Sequence, residues 1–432
     1  MVNYVAKLVR MNGKHGLQLM PSNVIIYLLL FADDIVLVSD TVIGLQNQLS
    51  QLQTGADALG LSINRDKTKV VVFRNGGYLA ENEKWHLCGN WLEISPEYRY
   101  LGALLTTKLS YNLLQSDLVH RAKAGVSQIT RCVRKLQCLS PDVYFKMFDT
   151  QVSSILLYSA ELWGLSNCTV VENVHLQSIK RYLNLPTKVP NLIVYGECGR
   201  YPLYVTAALR VIKYWLRILR METSRYPYLT YKMMLSSNNQ NSWAYKVKDL
   251  LCKYQFEHVW EEQFVQNERV FLRNLKEKLV EEYCNNWYQA LWKSDRYSFY
   301  RRFKVVWTKE NYLSALDRKP FRDVFIQFRT GFSDLYCHKS RYQGNEDNLY
   351  VCPSCRETFE CEIHFLCTCP VYEDLRLKYL SNNVRSLLLS NLEDVLSSQD
   401  RSEIRSLAVY LYYAFKRRRE AMATEFFPAE LA

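Results

Sequence analysis

The spacing of apolar residues predicts two short strands near the start of the chain, with acidic residues between them. Residues 24–31 form an unbroken apolar run, and a second apolar run covers residues 35–38. The first run is too short for a membrane span, which takes about 20 residues, and its β-branched and aromatic content favours a buried strand. Asp33 and Asp34 lie between the runs. We therefore predict a hairpin of two buried strands with this acidic pair at its tip.

Helical and extended segments alternate after the hairpin. Apolar residues recur every three or four positions between residues 42 and 59, which predicts an amphipathic helix. Gly60 is a suitable C-terminal end for that helix. Residues 69–73 are typical of a strand, with Lys67 in the turn before it. Residues 98–105 are mostly apolar and predict one arm of a second hairpin.

From residue 113 onward the apolar spacing is that of helices, so the pattern predicts an α+β fold whose larger part is helical. Ser140 and Pro141 are typical of an N-cap and a first-turn proline. Residues 190–203 are expected to be a loop that opens a further helix. Other helices are expected at residues 113–136, at 170–183, over most of 242–306 and at 404–422.

Composition adds a basic charge and many aromatic rings to this picture. The 432-residue chain has 55 Lys and Arg against 43 Asp and Glu, a formal net charge of +12, which favours a polyanionic partner. No apolar run reaches membrane length, so we expect no membrane partner. The 31 tyrosines and nine tryptophans suit either stacking on unpaired bases or core packing. The thirteen cysteines have no regular spacing, and the sequence shows no signal peptide. We therefore expect reduced thiols, in the nucleus or the cytoplasm.

The acidic pair has two interpretations. Adjacent carboxylates held against apolar walls repel each other and lose hydration, and a divalent cation relieves both penalties. Phosphoryl-transfer sites with two metal ions use carboxylates placed in this way. Alternatively, Asp33 and Asp34 belong to an ordinary solvated turn, in which Asp is common.

Three segments, in the same order and at plausible spacing, resemble those of one polymerase family. Phe31-Ala32-Asp33-Asp34 resembles the aromatic-Ala-Asp-Asp box of reverse transcriptases. Residues 60–69, GLSINRDKTK, resemble the segment after that box in retrotransposons without long terminal repeats, the LINE type. Tyr98-Arg99-Tyr100-Leu101-Gly102 resembles their primer-grip segment. The chain therefore resembles the C-terminal portion of a non-LTR reverse transcriptase, with the second half of the palm, the thumb and a zinc-knuckle region.

The resemblance implies an RNA-directed DNA polymerase that uses Mg²⁺ or Mn²⁺ and acts on an RNA template, a DNA primer or target, and dNTPs. It makes Asp33 a direct metal ligand and Asp34 an assisting residue, since neighbours on an extended chain point apart. Lys67 is expected near the triphosphate as a proton donor or charge clamp, or else as a solvated turn lysine. The residues expected to contact the nucleotide sugar or the primer 3′ end are Phe31, Tyr100, Leu101 and Gly102.

By the same resemblance, residues 1–112 correspond to a partial palm, 113–185 to a helical thumb, 186–345 to a helical aromatic-rich region, 346–375 to a zinc knuckle and 376–432 to a helical tail. Residues 1–24 contain no Asp or Glu. The first catalytic carboxylate of the family is therefore expected in an N-terminal polymerase half that this chain lacks, and the chain alone is expected not to extend a primer. Two other interpretations stay open, a non-catalytic nucleic-acid-binding remnant and a protein-interaction module.

A second set of residues has the spacing of a zinc site. Cys352, Cys355, His364 and Cys369 follow the pattern C-x2-C-x8-H-x4-C, and a CxxC turn presents two thiolates to one tetrahedral Zn²⁺. The alternative is a set of unligated buried thiols. Cys361 and Cys367 are alternative fourth ligands. The resemblance favours Cys369, because family members carry His-Phe-Leu and then Cys-Pro at that spacing.

Three basic features suggest contact with nucleic acid, each beside a structural alternative. Residues 286–304 interleave aromatic and basic side chains, which suits stacking and phosphate pairing or an aromatic core cluster. A basic lip is expected beside the zinc site, at Arg329, Lys339 and Arg341. Residues 416–419, KRRR, suit phosphate binding, a nuclear address or the dipole at a helix end.

Overall fold

The computed structural model describes residues 16–20, 22, 24–74, 76–136, 139–343 and 350–426. The fold is α+β and mainly helical, as the apolar spacing predicted. The chain divides into two compact units. The first contains Met1–Leu118, Tyr158–Asn167 and Ala207–Leu275, and the second contains Val119–Leu157, Cys168–Thr206 and Lys276–Ala432. Among the described residues, no helix combines the length and the apolar character that a bilayer crossing requires.

The strands of the first unit pair two by two in the part of the chain that the structure describes. The antiparallel pairs are Leu17–Leu19 with Val24–Ile26, Leu28–Phe31 with Asp34–Leu37, His86–Leu87 with Asn90–Trp91, and Glu97–Tyr100 with Ala103–Thr106. Lys69–Val70 and Glu93–Ile94 form a parallel pair. The predicted hairpin around the acidic pair is present, but its first apolar run is divided at Tyr27 between two hairpins. The strand predicted at 69–73 is only two residues long.

The strands of the acidic hairpin are less buried than predicted. Leu28 is buried, whereas Leu29, Leu30 and residues 35–38 are only half buried. Each strand of this hairpin pairs with the other and, among the described residues, with no further strand. A two-stranded sheet covers its side chains less completely than a larger sheet does, which explains the difference.

The helix Val42–Ala58 confirms the first helical prediction. The hydroxyl of Thr41 accepts a hydrogen bond from the amide of Gly44 at 3.1 Å and caps the N-terminus. Gly60 follows the helix with φ +62°, the left-handed conformation that a C-terminal glycine supplies. The helix contributes Leu49 to a core that also contains Val70, Trp85, Leu87 and Leu92.

Helices make up most of the described chain after residue 110. The α-helices are Tyr111–Leu136, Pro141–Phe148, Ser154–Leu156, Ala160–Trp163, Thr169–Tyr182, Asn191–Cys198, Leu203–Leu219, Tyr226–Ser236, Trp243–Lys253, Glu257–Glu262, Glu268–Lys293, Tyr312–Ala315, Lys319–Arg329, Tyr336–Gln343, Glu373–Tyr379, Asn382–Ser390, Leu392–Leu396 and Arg401–Phe426. Asp149–Ser153 and His364–Thr368 are π-helical. The predicted cap at Ser140 is confirmed, because its hydroxyl accepts from the amide of Val143 at 3.4 Å.

The prediction of a loop at residues 190–203 is wrong for the first part of this segment. Asn191–Cys198 is a helix, with Pro190 before it and Gly199 after it at φ +58°. Proline and glycine commonly indicate a loop, but here they mark the two ends of a helix. The apolar residues 193–195 between them are buried, and this burial stabilises the helix.

Candidate active site and metal centre

The acidic pair lies at the exposed tip of its hairpin. Ala32 and Asp33 form the two-residue turn, with Ala32 at φ +53°. Phe31 and Asp34 face each other as the last paired residues of the two strands. Both Asp side chains are exposed, and the Phe31 ring is 60% exposed. The apolar walls predicted around the carboxylates therefore lie below the tip, and the carboxylates face solvent.

A cleft joins this hairpin to the segment that resembles a primer grip. Leu28–Phe31, Tyr100, Leu101 and residues 224–227 line this cleft, which has a volume of about 530 Å³. Burial, together with the negative charge of Asp34, raises the pKa of Tyr100. The structure thus places Phe31, Tyr100 and Leu101 around one cleft near the acidic tip. Sequence reasoning missed residues 224–227, because no local motif connects them with the hairpin.

The turn beside this cleft has the geometry of a tight β-hairpin. Leu101 and Gly102 have φ values of +46° and +81°, which is the type I′ combination. A Cβ at Gly102 would lie 3.2 Å from the Tyr158 hydroxyl. That hydroxyl donates to the carbonyl of Leu101, and Arg99 donates two hydrogen bonds to Asp117 at 2.8 and 2.6 Å. These contacts fix the turn within its unit.

Lys67 lies outside the cleft lining. Its side chain is exposed, in the turn before Lys69–Val70. Its backbone amide donates to Asn64 Oδ1 at 3.1 Å, and its carbonyl accepts from the Tyr98 hydroxyl at 3.3 Å. The backbone of this turn is therefore held in place while its ammonium group faces solvent.

The acidic pair fits part of a divalent-metal donor set. Among the described residues, no third His, Cys, Asp or Glu side chain joins Asp33 and Asp34 in a cluster of metal-binding dimensions. Mg²⁺ is commonly held by one or two carboxylates together with waters and substrate phosphates. The two carboxylates match that arrangement but do not form a complete protein cage.

The four residues of the C-x2-C-x8-H-x4-C pattern converge in the second unit. The ligand atoms of Cys352, Cys355, His364 and Cys369 all lie within 4.8 Å of one another. Cys352 and Cys369 are fully buried, and His364 Nε2 lies 3.3 Å from Cys355 Sγ. Three thiols and one imidazole in a closed, largely buried group are the donor set of a structural Zn²⁺ site.

The surroundings of this cluster favour the thiolate at Cys352. A hydrogen bond with the Cys369 thiol lowers the pKa of Cys352, and the backbone amides of Cys355 and Ser354 act in the same direction. The same contact raises the pKa of Cys369, so one of the two sulfurs holds the shared proton. Nδ1 of His364 lies 3.0 Å from the Thr358 hydroxyl, which leaves Nε2 to face the sulfurs. In metal sites, a hydrogen bond to the ring nitrogen that does not bind the metal orients the imidazole.

Other cysteines nearby stay outside the cluster. Cys361 is exposed, and the thiol of Cys367 lies 3.5 Å from the Leu388 carbonyl. A separate group of Cys337, His338 and Glu362 also has metal-binding dimensions. The Arg341 guanidinium donates to Glu362 at 2.8 Å and already balances that carboxylate's charge, so this second group does not require a cation.

No protein-family model matches the chain. Similarity is found to two curated retrotransposon proteins. Over 156 residues, 35% of this chain and 17% of the relative, it is 26% identical to the RNA-directed DNA polymerase from mobile element jockey of Drosophila funebris. Over 382 residues, 86% of this chain and 33% of the relative, it is 22% identical to the putative 115 kDa protein in type-1 retrotransposable element R1DM of Drosophila melanogaster. Both similarities are consistent with a LINE-type reverse transcriptase region.

The similarity to the R1DM protein covers 86% of this chain and the similarity to the jockey protein covers 35% of it, and each match covers only part of the relative. The chain spans a third or less of the length of either protein. The family predicted from the three motif segments is confirmed. The individual roles of Asp33, Asp34 and Lys67 stay predictions.

The prediction of a basic lip beside the zinc site is wrong at one of its three residues. Arg329 is completely buried, where its guanidinium donates to Glu197 at 3.2 Å and to Glu310 at 2.7 Å. Lys339 and Arg341 are half buried. A buried arginine needs a carboxylate partner, and that partner comes from a distant part of the sequence.

The aromatic and basic residues of 286–304 are divided between core and surface. Tyr288 is 44% exposed and Trp292 is 51% exposed, so both rings are open to contact. The structural alternative, an aromatic core cluster, holds for the buried residues Trp287, Phe299, Tyr300, Phe303 and Lys304.

Proposed function

We propose that this chain carries the acidic-box part of an RNA-directed DNA polymerase site. The observation that supports the proposal is that Asp33 and Asp34 are exposed at the tip of a hairpin beside the cleft. The strand Leu28–Phe31 of this hairpin lines the same cleft as Tyr100 and Leu101. In the reaction, the 3′-hydroxyl oxygen of a primer attacks the α-phosphorus of a dNTP. A new P–O bond forms, the bond to the β-phosphate oxygen breaks, pyrophosphate leaves and the hydroxyl proton passes to solvent.

Each residue predicted from the motif segments has a role in this proposal. Asp33 and Asp34 hold Mg²⁺ or Mn²⁺, which when bound stabilises charge on the attacking and leaving oxygens. The exposed Phe31 ring offers an apolar surface to the nucleotide sugar or the primer end. Tyr100 and the fixed Leu101 turn support the primer 3′ end. Lys67 extends into solvent from its turn and offsets triphosphate charge.

The domain roles extend the same proposal. Residues 1–112 supply part of the palm, residues 113–185 the thumb, and the four-ligand cluster holds a structural Zn²⁺ in a knuckle at 346–375. The partners are then an RNA template, a DNA primer or target, and dNTPs.

A second candidate function is nucleic-acid binding without catalysis. It is favoured by one observation, the lack of a third carboxylate beside Asp33 and Asp34 among the described residues. In the polymerase proposal that carboxylate comes from an N-terminal polymerase half. If the second candidate function is correct, no third carboxylate completes the site, and the net charge of +12 serves only to bind nucleic acid.

Primer extension on an RNA template separates the two candidates. We expect no extension by the chain alone, and extension by a longer protein that adds the N-terminal polymerase half. Asp33→Ala in the longer protein should abolish extension, whereas Asp57→Ala, an exposed aspartate of the same unit, should not. Extension by the chain alone would show that its own residues complete the site. RNA binding by the longer protein without any extension would favour the second candidate.

A further inference from the structure

The cleft beside the acidic hairpin has one wall that none of the motif segments supplies. Residues 224–227 line it together with Leu28–Phe31, Tyr100 and Leu101. Within their unit, Tyr226 and Pro227 begin the helix Tyr226–Ser236, and Ser224 and Arg225 precede it. Because residues 224–227 lie far beyond the primer-grip segment in sequence, only the fold brings them to the cleft.

Arg225 differs from many basic residues of its unit in having no partner. Its side chain is exposed, and it forms no hydrogen bond or ion pair with another described residue. Comparable cations of the unit are paired, as in Lys69–Glu93 at 2.8 Å and Arg220–Glu268 at 2.8 Å. Arg225 also stays beyond ion-pair distance of the acidic tip. The guanidinium of Arg225 is thus a cation without a protein partner among the described residues, and Arg225 lines the cleft.

The chemistry of the cleft matches a sugar–phosphate backbone. Leu28–Leu30, Leu101 and Pro227 present apolar surface, suitable for the face of a sugar, and Tyr226 adds an aromatic ring. A free guanidinium binds a phosphate with two parallel hydrogen bonds. Asp33 and Asp34 follow the lining residue Phe31, and their carboxylates repel phosphate unless a cation intervenes. Arg225 is the lining residue whose charge attracts phosphate.

We propose that residues 224–227 form a primer-strand subsite, in which Arg225 binds a backbone phosphate and Tyr226 and Pro227 contact the adjoining sugar. This inference rests on the proposed polymerase function and adds to it a positioning residue from outside the palm and thumb segments. Arg225 fixes the strand relative to the acidic tip and takes no part in bond formation.

Binding of an RNA–DNA primer–template by the full chain tests the subsite. Arg225→Gln should weaken binding roughly tenfold, the value of one charge-assisted hydrogen bond, and lower the salt slope by about 1. Arg225→Lys should keep the slope and lose part of the affinity, because lysine lacks the planar fork. Arg269→Gln changes an exposed arginine of the same unit outside the cleft and serves as the control.

A photoreactive residue at position 226 locates the strand. We expect crosslinks to the last nucleotides at the primer 3′ end. Equal effects of Arg225→Gln and Arg269→Gln, or crosslinks confined to the template, would overturn the subsite while leaving the polymerase proposal intact. Protection of position 226 by dNTP and not by primer would assign the cleft to the nucleotide and overturn it as well. Absence of any salt-dependent binding by the unmodified chain would refute both proposals.

Discussion

Arg418 donates two hydrogen bonds to the carboxylate of Glu360, at 2.6 and 2.7 Å, and both side chains are buried. This pair joins the terminal helix Arg401–Phe426 to the segment that carries the cysteine–histidine cluster. Its neighbour Arg417 pairs with Asp374. Two of the four basic residues at 416–419, Arg417 and Arg418, therefore form ion pairs within the fold. These ion pairs support a structural role for the two arginines.

Removing the arginine of this pair should destabilise the second unit. Arg418→Met leaves Glu360 buried without its partner, at a cost of about 3–5 kcal/mol in the free energy of unfolding. Urea denaturation measures the loss. Changing both residues to Met should restore most of it, because no uncompensated charge remains. Arg419→Met, at an exposed neighbour, should change stability by less than about 0.5 kcal/mol, and an equal loss in the two single variants would contradict the argument.

The cysteine–histidine cluster should bind zinc through Cys369 and not through Cys361. Cys369→Ser removes a buried sulfur of the cluster, so metal analysis should show loss of zinc and the melting temperature should fall. Cys361→Ser, at an exposed position, should retain zinc. A chelator should destabilise the unmodified protein and have little effect on the Cys369 variant. Retention of zinc by the Cys369 variant would reassign the fourth ligand.

Glu197 should be among the most sensitive positions of the second unit. It is fully buried, accepts hydrogen bonds from the hydroxyls of Tyr300 and Tyr312, and pairs with Arg329. Burial and the Glu197 charge raise the pKa of both tyrosines, which therefore stay neutral donors. Glu197→Ala should cost about 3–5 kcal/mol, whereas Tyr312→Phe should cost about 1–2 kcal/mol, both by thermal or urea unfolding. Similar costs for the two variants would contradict a central role for the carboxylate.

Acidification below about pH 6.5 should destabilise the protein through His175. Burial lowers the pKa of this imidazole from its usual 6.5, even though Glu172 at 2.9 Å favours its protonation. Arg200 donates to its other nitrogen at 3.3 Å and is held by Asp149. At pH values between the lowered pKa of His175 in the folded protein and 6.5, this histidine binds more protons in the unfolded chain than in the folded one. The free energy of unfolding therefore falls as the pH falls.

The pH dependence of urea unfolding checks this sign. His175→Gln should flatten the dependence between pH 7 and pH 5, and His258→Gln, at an exposed histidine, should leave it unchanged. His338, whose pKa burial also lowers, contributes in the same direction and should leave a residual slope in the His175 variant. A steeper dependence in that variant would show that protonated His175 stabilises the fold.

The sequence by itself determined the features that depend on neighbours in the chain. Three- and four-residue apolar spacing predicted the helix Val42–Ala58, and the acidic pair between two apolar runs predicted the hairpin. The Cys and His spacing predicted a cluster that the structure assembles. Each of these features involves residues only a few positions apart in the chain: the helical periodicity, the hairpin turn and the CxxC turn. A short stretch of sequence is therefore enough to predict them.

Only the tertiary structure decided which charges are buried and what surrounds the acidic tip. Arg329 and Arg418 resemble surface cations in sequence, yet Glu197, Glu310 and Glu360 from distant segments neutralise them inside the fold. The cleft wall at residues 224–227 and the exposure of the hairpin strands likewise depend on contacts between distant segments. Burial of a charge is favourable only when its partner arrives with matching geometry, and long-range packing supplies that geometry.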